Sequence, residues 1–247
     1  MRQAPCPKQA EAVFQADAAC NARLQKGKPL MARADLYWCE VGSHIVILDV
    51  ARDRYLQLPQ HLVAALHLLR QAGAAAKGAA DPFAALARIG LCDEDFRGLA
   101  APSSIAVPAH DLWSRVVGAR CDRPMTVGAA LVRIVAARAA VRAIPLRILV
   151  RWVRRLQARP SKHVTREEVA ARTALFVQAR QLLPARGACL PDSIALLHFL
   201  RARAIACRLV FGVRLEPFEA HCWVQDADAI LGDMQERVAC FTPILSL

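Results

Sequence analysis

Cys189 stands in "ARGACLPDSIALLHFL", where an apolar helical run begins. A thiol at a helix start meets unpaired N–H groups and the positive end of the helix dipole, and both favour thiolate. Such a residue is core filling, a metal ligand or a nucleophile, and the chain downstream decides among them. His221 lies in "AHCWVQD", whose alternation predicts a half-buried strand. His221, Trp223 and Gln225 then share one face, and Cys222 and Val224 the other. An imidazole beside a helix-start thiol can take its proton and later return it to a leaving amine. The competing role for His221 is a hydrogen-bonded structural histidine. Asp233 follows Gly232 at the end of "AILGD", twelve residues after His221, which is room for a hairpin that brings the carboxylate back to the ring. There it would fix the tautomer and stabilise imidazolium. Asp226 and Asp228 compete for that role but fall in the turn-like "QDADA", so they rank below Asp233. His198, within the helix after Cys189, His163 in a basic loop and His110 in a linker form no second constellation.

The elements that must carry these residues fall in two blocks. Residues 1–34 read as a polar, Ala-rich N-terminal extension. "LYWCEV", "HIVILDV" and "RYLQL" are three short β-type runs, with "VGSH" and "ARDR" where turns are needed. After Pro59 the pattern turns helical, with Leu62, Leu66 and Leu69 on one face. "DPFAALARIGL" reads as a further helix capped by Asp81. "APSSIAVPAHD" has linker composition, which sets the expected boundary between a domain at 35–104 and another at 110–247. From Leu112 to about Leu183 helices run between breaks at Pro124, Pro145 and Pro160. Within them, Thr165 and Glu168 have capping-box spacing, and Val169, Leu175, Phe176 and Leu182 recur on a helical period. After the Cys189 helix come strands in "CRLVFGVRL", "AHCWVQ" and "AILGDM". The expected class is α+β: a small three-stranded sheet with helices, then a helix-rich domain ending in a small antiparallel sheet.

Composition narrows the functional classes. Arg interrupts every apolar stretch before it reaches membrane-spanning length, and the first residues lack a secretory apolar core, so a cytoplasmic protein is expected. Nine Cys without a C-x-x-C pair or a zinc-spaced cluster argue against a disulfide framework or a structural metal. The net charge of +12 is concentrated in the helical stretch 110–180. A solvated helix face accounts for it, and contact with the inner membrane surface or an acidic partner is the sharper alternative. Nucleic acid fits poorly, since the stretch lacks interleaved aromatics and a reader motif.

The segment "CLPDSIALLHFLRARAIACRLVFGV…PFEAHCWVQ…LGD" resembles the transglutaminase-like, papain-like cysteine protease domain of lasso-peptide biosynthesis B proteins. The resemblance covers roughly residues 110–247, with specific motifs in the last 60 or so. It implies Cys189 as nucleophile, His221 as base and Asp233 as orienting acid. The chain departs from the family's pattern at Asp192, where a basic residue is common, at Cys222, where another small residue is common, and at Gln225, where Glu is common. The N-terminal block, through "VILDVARDRYLQLPQHLVAAL", is similar to the winged-helix-like leader-recognition domain of peptide-modifying systems and to the small pyrroloquinoline-quinone biosynthesis chaperone. In that family a leader peptide adds as a strand at a sheet edge against a helix. The resemblance places this edge at the third strand, Arg54, Tyr55, Leu56, Gln57 and Leu58, with a groove helix near Pro82–Leu91.

Together the two resemblances imply a leader peptidase that binds a precursor's leader and hydrolyses the leader–core bond. They also imply a partner, an ATP-dependent, asparagine-synthetase-like cyclase, and a preference for Thr beside the cut. No cofactor is implied, because the triad requires neither metal nor nucleotide. An acyltransferase using the same triad, and a non-catalytic peptide-binding partner, remain the alternatives.

Overall fold

The computed structural model describes residues 35–72, 85–86, 104–113, 124–162, 164–184 and 189–247. They fall into two compact units divided between Ser103 and Ser104.

In the first unit, β1 (Leu36–Val41), β2 (His44–Asp49) and β3 (Arg54–Gln57) form an antiparallel meander in the order β1-β2-β3. The β1–β2 register runs from Leu36 opposite Asp49 to Val41 opposite His44, which leaves a two-residue turn. Gly42 takes φ 59° there, a conformation that costs glycine little. The β2–β3 turn is held by Asp49, whose buried carboxylate accepts from the Arg52 backbone N–H at 3.1 Å and from its guanidinium at 2.9 Å. Helix α1 (Gln60–Ala72) follows and lays Leu62, Val63, Ala65 and Leu66 into a core with Trp38, Ile45 and Ile47. Leu86 joins the same core. The expected helix at Pro82–Leu91 lies otherwise outside the described residues, as do residues 1–34.

In the second unit, α2 (Pro124–Ala143), α3 (Leu146–Gln157), α4 (Arg166–Gln181) and α5 (Cys189–Arg201) precede a four-stranded antiparallel sheet. Its strands are β4 (Arg208–Arg214), β5 (Glu219–Gln225), β6 (Ile230–Leu231) and β7 (Thr242–Ser246), in the order β6-β5-β4-β7. A one-turn helix, α6 (Gln235–Val238), connects β6 to β7. Proline sets the breaks as expected: Pro124 opens α2, Pro145 is the N-cap position of α3, and Pro160 follows its end. Helix α3 buries Leu146, Leu149, Val150, Val153 and Leu156 on one face and exposes Arg147, Arg151, Arg154 and Arg155 on the other. Thr165 caps α4 by accepting from the Glu168 N–H, while the Glu168 carboxylate pairs with Arg172.

Three expectations need correction. Leu182 is not part of the buried face of α4: the helix ends at Gln181, ahead of Pro184, and Leu182 is 68% exposed. Strand β5 is not half-buried, since both faces are covered from His221 to Gln225. The stretch with linker composition belongs to the second unit from Ser104 onward. Asp111 bridges to Ile230 in parallel, the Ile230 N–H donates to the His110 carbonyl, and Ile105 and Val107 pack on a core of Val210, Trp223, Ile230, Val238 and Phe241. Pro and Ser in that stretch disguised an extended segment that satisfies its backbone against β6.

Candidate active site

Helix α5 packs against α2, α3 and α4 and against strands β4 and β5, so its first residue is held from several directions. Cys189 is that residue and is half-buried. Near it Ser193, one turn along α5, donates its hydroxyl to the Cys222 carbonyl at 2.9 Å and thereby pins α5 to β5 beside His221. The β5–β6 turn is closed by Asp226, whose carboxylate accepts from the N–H groups of Asp228 and Ala229. That turn brings Leu231 opposite Val224, and the chain then passes through Gly232 to Asp233. Gly232 has φ 74°, and a Cβ there would meet Leu196 of α5 at 2.9 Å, so the approach to Asp233 requires glycine.

His221 Nε2 and Asp233 Oδ2 are 2.6 Å apart, and Cys189 lies close enough to the imidazole to help raise its pKa. Nε2 is engaged by the carboxylate, which leaves Nδ1 as the nitrogen able to accept the thiol proton. Burial is the largest influence on His221 and pulls its pKa down. The hydrogen bonds and charges of Asp233 and Cys189 outweigh it, so the net pKa lies above the ordinary 6.5. For Asp233 burial pushes upward. The His221 hydrogen bond and charge, then Arg237 and the Met234 N–H, hold the carboxyl below the ordinary 3.8. Both shifts favour an imidazolium–carboxylate pair. His221 also packs on Phe241, ring centroids 5.1 Å apart, and on Trp223 at 6.2 Å.

A cleft of about 180 Å³ opens at these three side chains and is also lined by Trp113, Arg180, Glu219, Met234 and Arg237. Elsewhere in the fold, burial pushes the Cys39 and Cys207 thiols up to about 12. His198 packs on Trp152, and burial followed by Arg133 and Arg159 lowers its pKa. His163 lies outside the described residues. Among the described residues no three His, Cys, Asp or Glu side chains are grouped to hold a metal ion, and no helix is long and apolar enough to cross a membrane.

Several supports escaped the sequence reading. Asp111 accepts from the Gln235 N–H at 2.6 Å and from the Trp113 N–H, fixing the turn after Asp233. Gln225 accepts from the Trp223 indole and donates to the Ala106 carbonyl, tying β5 to the 104–107 segment. Asp192 is buried between two arginines. The signal for Asp192 was a carboxylate within an otherwise apolar helix; Asp111 and Gln225 have partners more than a hundred residues away and left no local sign.

In the first unit, the five residues expected to meet a peptide divide. Arg54, Tyr55, Leu56 and Gln57 form β3, at one edge of the sheet among the described strands. Leu58 lies just past the strand and is buried in the core, its N–H donating to the Ile45 carbonyl. Tyr55 is also buried.

A model of the transglutaminase-like superfamily matches residues 130–246, which include Cys189, His221 and Asp233. The chain is also 33% identical over 93 residues to the microcin J25-processing protein McjB of Escherichia coli. That match spans 36% of this chain and 43% of the relative's length. No solved structure matches. The transglutaminase-like match therefore covers the part of the chain that carries Cys189, His221 and Asp233, and the chain spans less than half the length of the curated relative it matches.

Proposed function

We propose that the chain is a leader peptidase of lasso-peptide maturation, with Cys189 as nucleophile, His221 as general base and acid, and Asp233 as the group that orients the imidazole. The observation that carries this reading is the file of Cys189, His221 and Asp233 lining one cleft, with His221 and Asp233 2.6 Å apart. His221 Nδ1 takes the thiol proton and Sγ adds to the scissile carbonyl. The C–N bond then breaks as imidazolium protonates the leaving amine, and the leader remains as a thioester on Cys189. Water, deprotonated by His221, attacks the thioester and releases the leader acid and the thiol. The freed core amine passes to an ATP-dependent, asparagine-synthetase-like cyclase for ring closure. The relative's role in processing microcin J25 supports this assignment.

The first unit binds the leader in this reading, by adding it as a strand at β3. The Leu58 N–H points toward β2, so by alternation the Gln57 N–H points to the opposite edge. A bound leader raises the effective concentration of the scissile bond at the second unit. The transglutaminase-like match favours one second reading, in which the thioester passes to an amine in place of water.

Mass spectrometry of the precursor incubated with wild type and Cys189→Ala, with and without cyclase, separates these readings. Free leader acid formed by wild type and absent with the variant is the expected result. A leader amide would establish acyl transfer. Equal cleavage by Cys189→Ala would reduce the chain to a peptide-binding role.

A further inference from the structure

Asp192 follows Cys189 by three residues on α5 and is only 6% exposed. Carboxylates are almost never this buried unless paired, and two guanidiniums from two other helices hold this one. Arg138 of α2 donates Nε to Oδ1 at 3.2 Å and Nη2 to Oδ2 at 3.5 Å. Arg180 of α4 donates Nε to Oδ2 at 2.7 Å. Arg138 also donates Nη1 to the Pro184 carbonyl at 3.1 Å. One guanidinium therefore grips the chain on both sides of Cys189, at Pro184 before it and at Asp192 after it. Arg180 and Asp192 both line the cleft.

A buried ion pair adds little net stability over a well-packed apolar replacement, because desolvation offsets the attraction. What this cluster does supply is direction. Three helices meet on one carboxylate within the first turn of α5, and the Ser193–Cys222 hydrogen bond fixes the same turn against β5. We propose that Asp192 is a positioning residue: through Arg138 and Arg180 it sets the height and rotation of the first turn of α5, and so the approach of Cys189 Sγ to His221. For turnover this rests on the peptidase reading. Its effect on the thiol does not.

Loss of the carboxylate has opposite consequences under position and under charge. If Asp192 positions Cys189, its removal draws Sγ away from the imidazole, and the thiol reacts more slowly. If it acts by charge, its removal leaves two arginines beside the thiol, and thiolate is favoured. The test uses the full chain as wild type, Asp192→Asn, Asp192→Glu and Cys189→Ala. It reads kcat and KM for precursor cleavage, and the rate at which iodoacetamide alkylates Cys189 at pH 7, followed by peptide mapping. For Asp192→Asn, kcat should fall on the order of 10- to 100-fold, the scale of an ångström misplacement, with KM barely moved and alkylation slowed. Asp192→Glu, which keeps a carboxylate for both arginines, should restore both readouts. Faster alkylation in Asp192→Asn overturns the proposal in favour of a charge effect. Failure of Asp192→Glu to rescue, or an unchanged kcat in the folded fraction of a destabilised Asp192→Asn, overturns it in favour of plain structure. Cleavage persisting in Cys189→Ala sinks the peptidase reading alone. The alkylation rates then still decide Asp192, and equal rates in wild type and Asp192→Asn count against it.

Discussion

Asp233→Asn removes the charge from a buried 2.6 Å contact with His221 and keeps the side chain's size. Asp233 holds the Nε2–H tautomer and leaves Nδ1 free to take a proton. An amide can instead offer its NH2 to Nε2, which places the proton on Nδ1 and blocks the base. Even with the tautomer preserved, imidazolium loses a charge-assisted hydrogen bond worth about 1.5–3 kcal/mol. At 1.36 kcal/mol per decade, that is roughly a 10- to 150-fold loss in the acylation rate, and a tautomer reversal adds to it. Single-turnover cleavage of the precursor, followed by mass spectrometry, reads the rate directly. The same pair has a stability signature. A raised imidazole pKa contributes stability that is complete below the ordinary 6.5 and fades as pH rises through the folded value. A lowered carboxyl pKa contributes stability that is complete above the ordinary 3.8 and fades as pH falls through its folded value. The gap in unfolding free energy between wild type and Asp233→Asn should therefore be widest between these ordinary values, 3.8 and 6.5, and narrow on either side. A rate loss below roughly threefold, less than 1 kcal/mol by the same conversion, together with a pH-independent stability gap, would refute the orienting role.

Gly212→Ala should destabilise the second unit by about 1–3 kcal/mol in denaturant titration, because the new Cβ would lie 2.6 Å from the Trp223 ring and 3.1 Å from Phe241 Cβ; unchanged stability would mean that Trp223 can move. Ser193→Ala removes the hydroxyl that donates to the Cys222 carbonyl, and should cost about 0.5–1.5 kcal/mol of stability while lowering kcat more than it raises KM. In the first unit, Gln57→Pro removes an N–H directed away from β2 at an edge where proline is tolerated. Leader-peptide affinity, measured by fluorescence anisotropy, should fall while the far-ultraviolet circular dichroism stays the same; unaltered affinity would dismiss this edge as the docking strand.

What the sequence disclosed about this molecule tracks how local each signal is. The β1–β3 meander was legible because each strand is a short apolar run and "VGSH" and "ARDR" mark the turns, whereas the Asp49–Arg52 pair that holds the second turn was not anticipated. The juxtaposition of Cys189, His221 and Asp233 was legible because the helix start, the alternating strand and the hairpin spacing are all read within a few residues. Strand β7 and helix α6 were not anticipated. The first is short and contains Pro243, and the second is one turn long, so neither builds a periodic pattern. The 104–113 segment misled for a related reason: its Pro and Ser content is that of a linker, yet its backbone partners lie on β6.

The supports of the site follow from that division. The three side chains of the file come from a helix start, a strand and a turn, and no local preference fixes the distances among them. Each is held by a polar tie to a distant part of the chain: Asp192 to Arg138 and Arg180 behind Cys189, Ser193 to the Cys222 carbonyl beside His221, and Asp111 to the Gln235 N–H after Asp233. Apolar packing alone tolerates sliding between α5 and β5, because one well-filled arrangement of Leu, Ile and Val differs little in energy from its neighbours. A buried carboxylate or hydroxyl needs partners at set positions, and missing them leaves a desolvated polar group costing about 1–3 kcal/mol, more when charged. The polar ties therefore penalise the small displacements that the apolar core permits, and the His221–Asp233 contact of 2.6 Å stands among the residues where those ties converge.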